Sequence, residues 1–216
     1  MGQKRTRDSL QRRKPRLSPR ARILIVCEGQ VTEPIYFKDL GRQARVRLIE
    51  VVVNEEGGVP KTIVERAVQL KKSARRTAKR LLDDFLDFDE VWCVFDVDEH
   101  PNLPHAIQQA NANGVNLAIS NPCFELWILL HFQDQRAHVD RARVQADCRR
   151  HIPNYRKTPP MLELNARYDQ ALTRAIALEK WQSEQGRFRE NPSTEVHRLT
   201  EQIKKLGGTA AFQNVR

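Results

Sequence analysis

The segment Arg22-Ile-Leu-Ile-Val-Cys27 constrains the fold more than any other feature of the chain. It is a short, unbroken run of aliphatic, largely β-branched residues that stops abruptly at Glu28-Gly29. A strand that buries one face alternates apolar and polar residues; an unbroken run of this length fits a strand covered on both faces, as in a parallel sheet. Residues 46–53, Glu90–Phe95 and Val115–Ile119 have the same strand character. Helical patterns lie between these runs. Thr32 can cap a helix through Glu33-Pro34, because proline is tolerated in a first turn, and Ile35, Phe37 and Leu40 supply its apolar side. Ile63, Ala67, Leu70, Ala74 and Ala78 recur at helical spacing in a second. Leu103, Ala106, Ile107 and Ala110 mark a third over residues 101–113, which Gly114 ends. The stretch Cys123–Phe132 is apolar around nearly its whole circumference, as in a buried helix. The alternating order predicts an α/β fold with a mostly parallel, four-stranded sheet flanked by helices.

Past residue 133 the pattern changes. Residues 133–160 are polar and broken by Pro153, Pro159 and Pro160. A helix is expected over 161–182, with Tyr168, Leu172, Ala175 and Ile176 on one side, followed by a loop from Gly186 to Pro192. Ser193 then caps a last helix with Val196, Leu199, Ile203 and Leu206 along its seam, stopped by Gly207-Gly208. The expected organisation is a basic tail over 1–21, an α/β core over 22–132, and a mainly helical C-terminal extension over 133–216 that packs on the core.

The net charge of +10 is unevenly spread: residues 1–22 hold nine Lys/Arg and one acid, leaving +2 for the remainder. Such a tail suits phosphate backbones, since each neutralised phosphate releases counterions; a solvated arm that aids solubility explains it equally. Lys71, Lys72, Arg75, Arg76, Lys79 and Arg80 form a second basic group on the helix after residue 60. They could track a phosphate backbone or form an ordinary solvated face. No apolar run reaches the roughly 20 residues that span a bilayer, and the basic N-terminus has no apolar signal region, so a cytoplasmic location is expected. Cys27, Cys93, Cys123 and Cys148 form no C-x-x-C pair and read as buried reduced thiols.

Functional residues of open α/β sheets collect beyond the carboxyl ends of strands. Glu28 follows the first strand and Asp96-Val97-Asp98 the third. Two carboxylates two residues apart in extended chain point the same way, and like charges that close repel unless a cation sits between them. Mg²⁺ prefers a few carboxylates and retained waters, leaving positions for phosphate oxygens, and can activate water for phosphodiester cleavage. Alternatively, the D-x-D pair is a turn and helix-capping cluster.

These residues carry a resemblance. The strand–Glu28-Gly29 start and the strand–Asp96-Val97-Asp98 end look like the two motifs of the Toprim fold, shared by topoisomerases, primases and OLD-type nucleases. More narrowly, Cys27-Glu-Gly-Gln-Val-Thr32-Glu33-Pro34-Ile-Tyr36-Phe37 resembles the opening motif of RloB-like proteins. So do Phe95-Asp-Val-Asp98, Ser120-Asn-Pro-Cys-Phe-Glu125-Leu-Trp127-Ile-Leu-Leu-His131-Phe132 and Asn191-Pro-Ser-Thr194. The resemblance implies a Toprim nuclease core dependent on Mg²⁺ or Mn²⁺, in anti-phage defence, with an ABC-type ATPase as partner. It further implies that Glu28 binds metal or acts as a general base, and that Asp96 and Asp98 bind metal.

Other residues carry two readings each. Glu125 either completes the carboxylate set or answers a helix dipole. Asn121 either contacts phosphate or braces the turn before Pro122. Lys157 either neutralises transition-state charge or is a plain surface lysine. Thr32 and Glu33 either contact substrate at a helix N-terminus or cap it. His131 reads as a hydrogen-bonded core histidine, His100 as a second-layer metal residue with little to favour it, and Trp92, Trp127 and Trp181 as packing. The function expected is a Mg²⁺-dependent endonuclease, with a non-catalytic nucleic-acid-binding module as the alternative. Topoisomerisation or strand synthesis would need a further domain that the remaining residues cannot supply. The phosphate-loop pattern G-x-x-x-x-G-K-[ST] is absent, so ATP hydrolysis would fall to the partner. DNA versus RNA (tRNA included) and homodimer formation stay open.

Overall fold

A computed structural model describes residues 21–46, 48–54, 59–97 and 103–207. Strands β1 (Ile23–Cys27), β2 (Ile49–Val53), β3 (Glu90–Asp96) and β4 (Asn116–Asn121) are parallel, and β5 (Ser193–Thr194) is antiparallel to β4. The sheet order is β2-β1-β3-β4-β5. Every residue of β1 is fully buried, with Ile23, Ile25 and Cys27 in one core and Leu24 and Val26 in the other. This two-sided burial is why the run lacks alternation.

Helices α2 (Pro60–Leu81) and α3 (Leu103–Ala112) cover the second face. The first face is covered by α1 (Thr32–Gln43), α4 (Glu125–Leu130), α5 (Arg141–His151), α7 (Tyr168–Glu184) and α8 (Val196–Gly207), with the short α6 (Met161–Ala166) beside α7. The C-terminal helices thus share one core with the sheet. His131 is fully buried, its Nδ1 lies 2.9 Å from the Trp127 carbonyl, and burial lowers its pKa to about 4. All four cysteines are buried free thiols. Among the described residues no helix is long and apolar enough to cross a membrane.

Four expectations are corrected. The sheet has five strands, not four, because Ser193 opens β5 instead of capping α8. Ser120 pairs with Thr194 and Asn121 with Ser193, and the Ser120 and Thr194 hydroxyls lie 2.9 Å apart. Two polar residues leave no periodic apolar signal, so a strand this short is invisible to pattern reading. Residues 133–160 contain α5, whose Asp140 side chain accepts the Arg143 N–H at 2.7 Å as a helix N-cap. The helix expected over 161–182 is two, divided at Arg167. Finally, Thr32 does not cap α1; Val31 occupies that position without a side-chain cap.

Candidate active site

Parallel pairing brings the carboxyl ends of β1, β3 and β4 together. Cys27 pairs with Val94, and the Glu28 N–H continues the ladder by donating to the Val94 carbonyl at 2.9 Å. Glu28 therefore lies beside Asp96, and its Oε2 accepts the Asp96 N–H at 3.0 Å. Asp96 in turn pairs with Ser120 of β4, five residues before the buried Glu125 that opens α4.

A cleft of about 350 Å³ opens at this end of the sheet. Its walls include Glu28, Glu33, Asp96 and Glu125 together with Arg141 and Lys157. Asp96 is 9% exposed and its Oδ2 lies 3.3 Å from Nη2 of Arg141, the first residue of α5. Burial and then the Glu33 carboxylate hold Asp96 well above the usual carboxylate range, against the pull of Arg141. Glu33 is 7% exposed and lies over Gly29, where an added Cβ would meet its carboxylate. Burial, with smaller contributions from Glu125 and Glu28, raises its pKa to about 7, although its own backbone hydrogen bond and Lys157 oppose the shift. The site thus concentrates more negative charge than its two cations compensate.

Lys157 reaches the cleft from the segment between α5 and α6. The Thr32 hydroxyl donates to the Lys157 carbonyl at 2.9 Å, and Lys157 adopts φ of 65°. A left-handed non-glycine residue costs on the order of 1 kcal/mol, and the tether to Thr32 holds it there. Asn121 is used elsewhere: its Nδ2 donates to the Arg189 carbonyl at 2.9 Å and braces the loop before β5. Asp98 and His100 lie outside the described residues.

Sequence reasoning missed Arg141, Gln145 and Asn54, which also face the cleft. Asn54 was within reach, since it follows β2 as Glu28 follows β1; Arg141 and Gln145 stand in the polar segment where α5 was not recognised.

Among the described residues, no three His, Cys, Asp or Glu side chains group closely enough to hold a metal ion by themselves. Mg²⁺ does not require such a cage, since one or two carboxylates, waters and substrate phosphates commonly complete its shell. All-oxygen donors in an overcharged, buried cleft fit that ion, with Glu28 and Asp96 adjacent at the strand ends.

A family model described as RloB-like protein matches residues 23–203. No curated protein and no solved structure matches the chain.

Proposed function

The chain belongs to the RloB-like family, and from that premise we propose that it is a Mg²⁺- or Mn²⁺-dependent Toprim endonuclease acting at the cleft beyond β1 and β3. The observation that carries this reading is the carboxylate cluster. Four acids line one cleft, and burial and mutual repulsion hold Asp96 and Glu33 above the usual range. Groups arranged that way oppose folding unless a cation joins them.

Glu28 and Asp96 would hold the ion, with Asp98 as a third ligand and Glu125 beside them. Bound there, Mg²⁺ supplies Lewis acidity at a phosphate oxygen and a more acidic water. Lys157 and Arg141 place positive charge where the phosphodiester gains negative charge in the transition state. Arg141 is then shared between Asp96 and the substrate. Thr32 and Glu33 bring the N-terminus of α1 to the cleft, which favours a phosphate there, and the Thr32 hydroxyl keeps Lys157 in place. The substrate is DNA or RNA, tRNA included. We read the protein as a cytoplasmic effector of anti-phage defence, with ATP hydrolysis assigned to an ABC-type partner. The Asp96–Arg141 ion pair favours a second reading, a nucleic-acid-binding module in which the ion serves structure.

Cleavage separates the two. The purified protein is incubated with DNA and with RNA in Mg²⁺ or Mn²⁺, alone and with a candidate ABC-type ATPase partner. Wild type should produce fragments that Glu28→Gln does not. Identical products from both proteins, or none under every condition, would remove the nuclease reading.

A further inference from the structure

The two cations that line the cleft, Arg141 and Lys157, both come from residues 135–160. That segment holds seven Lys/Arg against Asp140 and Asp147, a net +5, so the rest of the chain after Arg22 sums to −3. Beyond residue 22 the positive charge is therefore concentrated in one stretch, and that stretch forms a wall of the carboxylate cleft. Its own acids are engaged within it. Asp147 is buried between Arg143 and Arg150, at 3.0 and 2.7 Å, and Asp140 caps α5 by accepting the Arg143 N–H. Acids just outside it are paired as well: Asp134 with Arg174 and Glu163 with Arg167, each at 3.7 Å. Glu125 of α4, on which α5 packs, and Glu33, opposite Lys157, belong to the cleft itself. Arg149 and Arg156 are exposed and form no ion pair among the described residues.

Helical spacing sets these groups in a row. Arg141, Gln145 and Arg149 stand four residues apart on α5, so each lies one turn beyond the last on the same flank. The first two line the cleft. Arg149 continues the row outwards, clear of the buried side made by Val144, Asp147 and Cys148. From Arg141 to Arg149 the helix rises about 12 Å, the length of three or four phosphates at about 3.4 Å each along one strand. Arg156 adjoins Lys157, whose carbonyl the Thr32 hydroxyl ties to the start of α1.

We propose that α5 and the segment after it form the track along which a polynucleotide leaves the cleft, with Arg149 and Arg156 gripping phosphates that flank the one held at the carboxylates. The proposal rests on the reading of the cleft as a nucleic-acid site and adds the path of the strand beyond it. The row holds cations and an amide and no aromatic side chain, so it grips the backbone without stacking on bases or reading their edges. A bilayer is a poorer occupant, because a membrane-surface helix needs a free apolar face beside its basic one, and Val144 and Cys148 of α5 are buried in the core shared with α4.

The test measures binding of fluorescein-labelled DNA and RNA oligonucleotides of equal length by anisotropy across a KCl series. The parent is the Glu28→Gln protein, so the result stands apart from whether the cleft cuts. Adding Arg149→Gln and Arg156→Gln should reduce the slope of log K against log salt by about 1.5 and weaken binding about tenfold at roughly 0.1 M KCl. Arg149→Lys with Arg156→Lys keeps the charge and should restore most of both, which a merely structural role would not do. Lys72→Gln with Arg76→Gln, exposed on the helix that covers the other face of the sheet, should change binding much less. Equal losses from the two neutralised pairs, or a slope that Arg149→Gln and Arg156→Gln leave unchanged, would overturn the proposal. So would a neutralised protein that loses phosphatidylserine vesicles while retaining oligonucleotides. No binding of either oligonucleotide by the parent would overturn the reading of the cleft along with it.

Discussion

Asp96→Asn should lower metal-dependent cleavage by about 10²- to 10³-fold, the scale of losing one preorganised electrostatic group, and at the same time raise the melting temperature. The two effects have one origin. Asp96 is almost fully buried, faces three other carboxylates across the cleft, and titrates well above the usual range despite Arg141. Asparagine keeps its shape and removes the charge. The bond from Glu28 survives, because Glu28 accepts from the Asp96 backbone N–H, not from the side chain. Arg141 loses a partner but is 44% exposed, so water replaces it at little cost. An ordinary damaging substitution lowers both activity and stability; here they should move in opposite directions, the trade-off of a strained functional site. Initial rates and thermal melts in EDTA at pH 8 read both. A fall in melting temperature would mean that the Asp96–Arg141 pair stabilises the fold and that the cleft is not overcharged.

Glu33→Gln should stabilise the metal-free protein by up to about 3 kcal/mol at pH 8 and not at pH 4, one pKa unit being worth about 1.4 kcal/mol. In the fold burial keeps Glu33 protonated up to about pH 7, whereas its ordinary value is 4.5. Between these values the folded state binds more protons than the unfolded one, so stability is full below pH 4.5 and is lost as pH rises through 7. The glutamine variant does not titrate and escapes that loss. For a chain of this size the gain corresponds to roughly 6 to 12 °C in melting temperature. Added Mg²⁺ should narrow the difference by stabilising wild type. Melts at the two pH values with and without Mg²⁺ measure this, and a difference that is the same at both would refute the burial argument for Glu33.

What the sequence disclosed follows from where apolar side chains repeat. β1 was legible because both its faces are buried, and Glu28 was legible because the run ends there in a charge. The same logic reached Asp96 and Glu125. It failed for β5, since Ser193 and Thr194 pair through backbone and hydroxyl groups and leave no apolar period. It failed for α5 because that helix buries only Val144, Asp147 and Cys148. Asp147 is itself a charged residue made burial-tolerant by Arg143 and Arg150. With α5 unseen, Arg141 could not be assigned to the cleft. Lys157 was only half legible, because its place depends on a tertiary bond from Thr32, 125 residues away.

The most direct measurement is Mn²⁺ binding followed by electron paramagnetic resonance on the purified protein, which needs neither substrate nor activating partner. The carboxylate cleft predicts saturable uptake by wild type, weakened at least about tenfold in both Glu28→Gln and Asp96→Asn, with both variants still folded. Undiminished binding in the two variants, or no saturable binding by wild type, would contradict a divalent-cation site at the ends of β1 and β3.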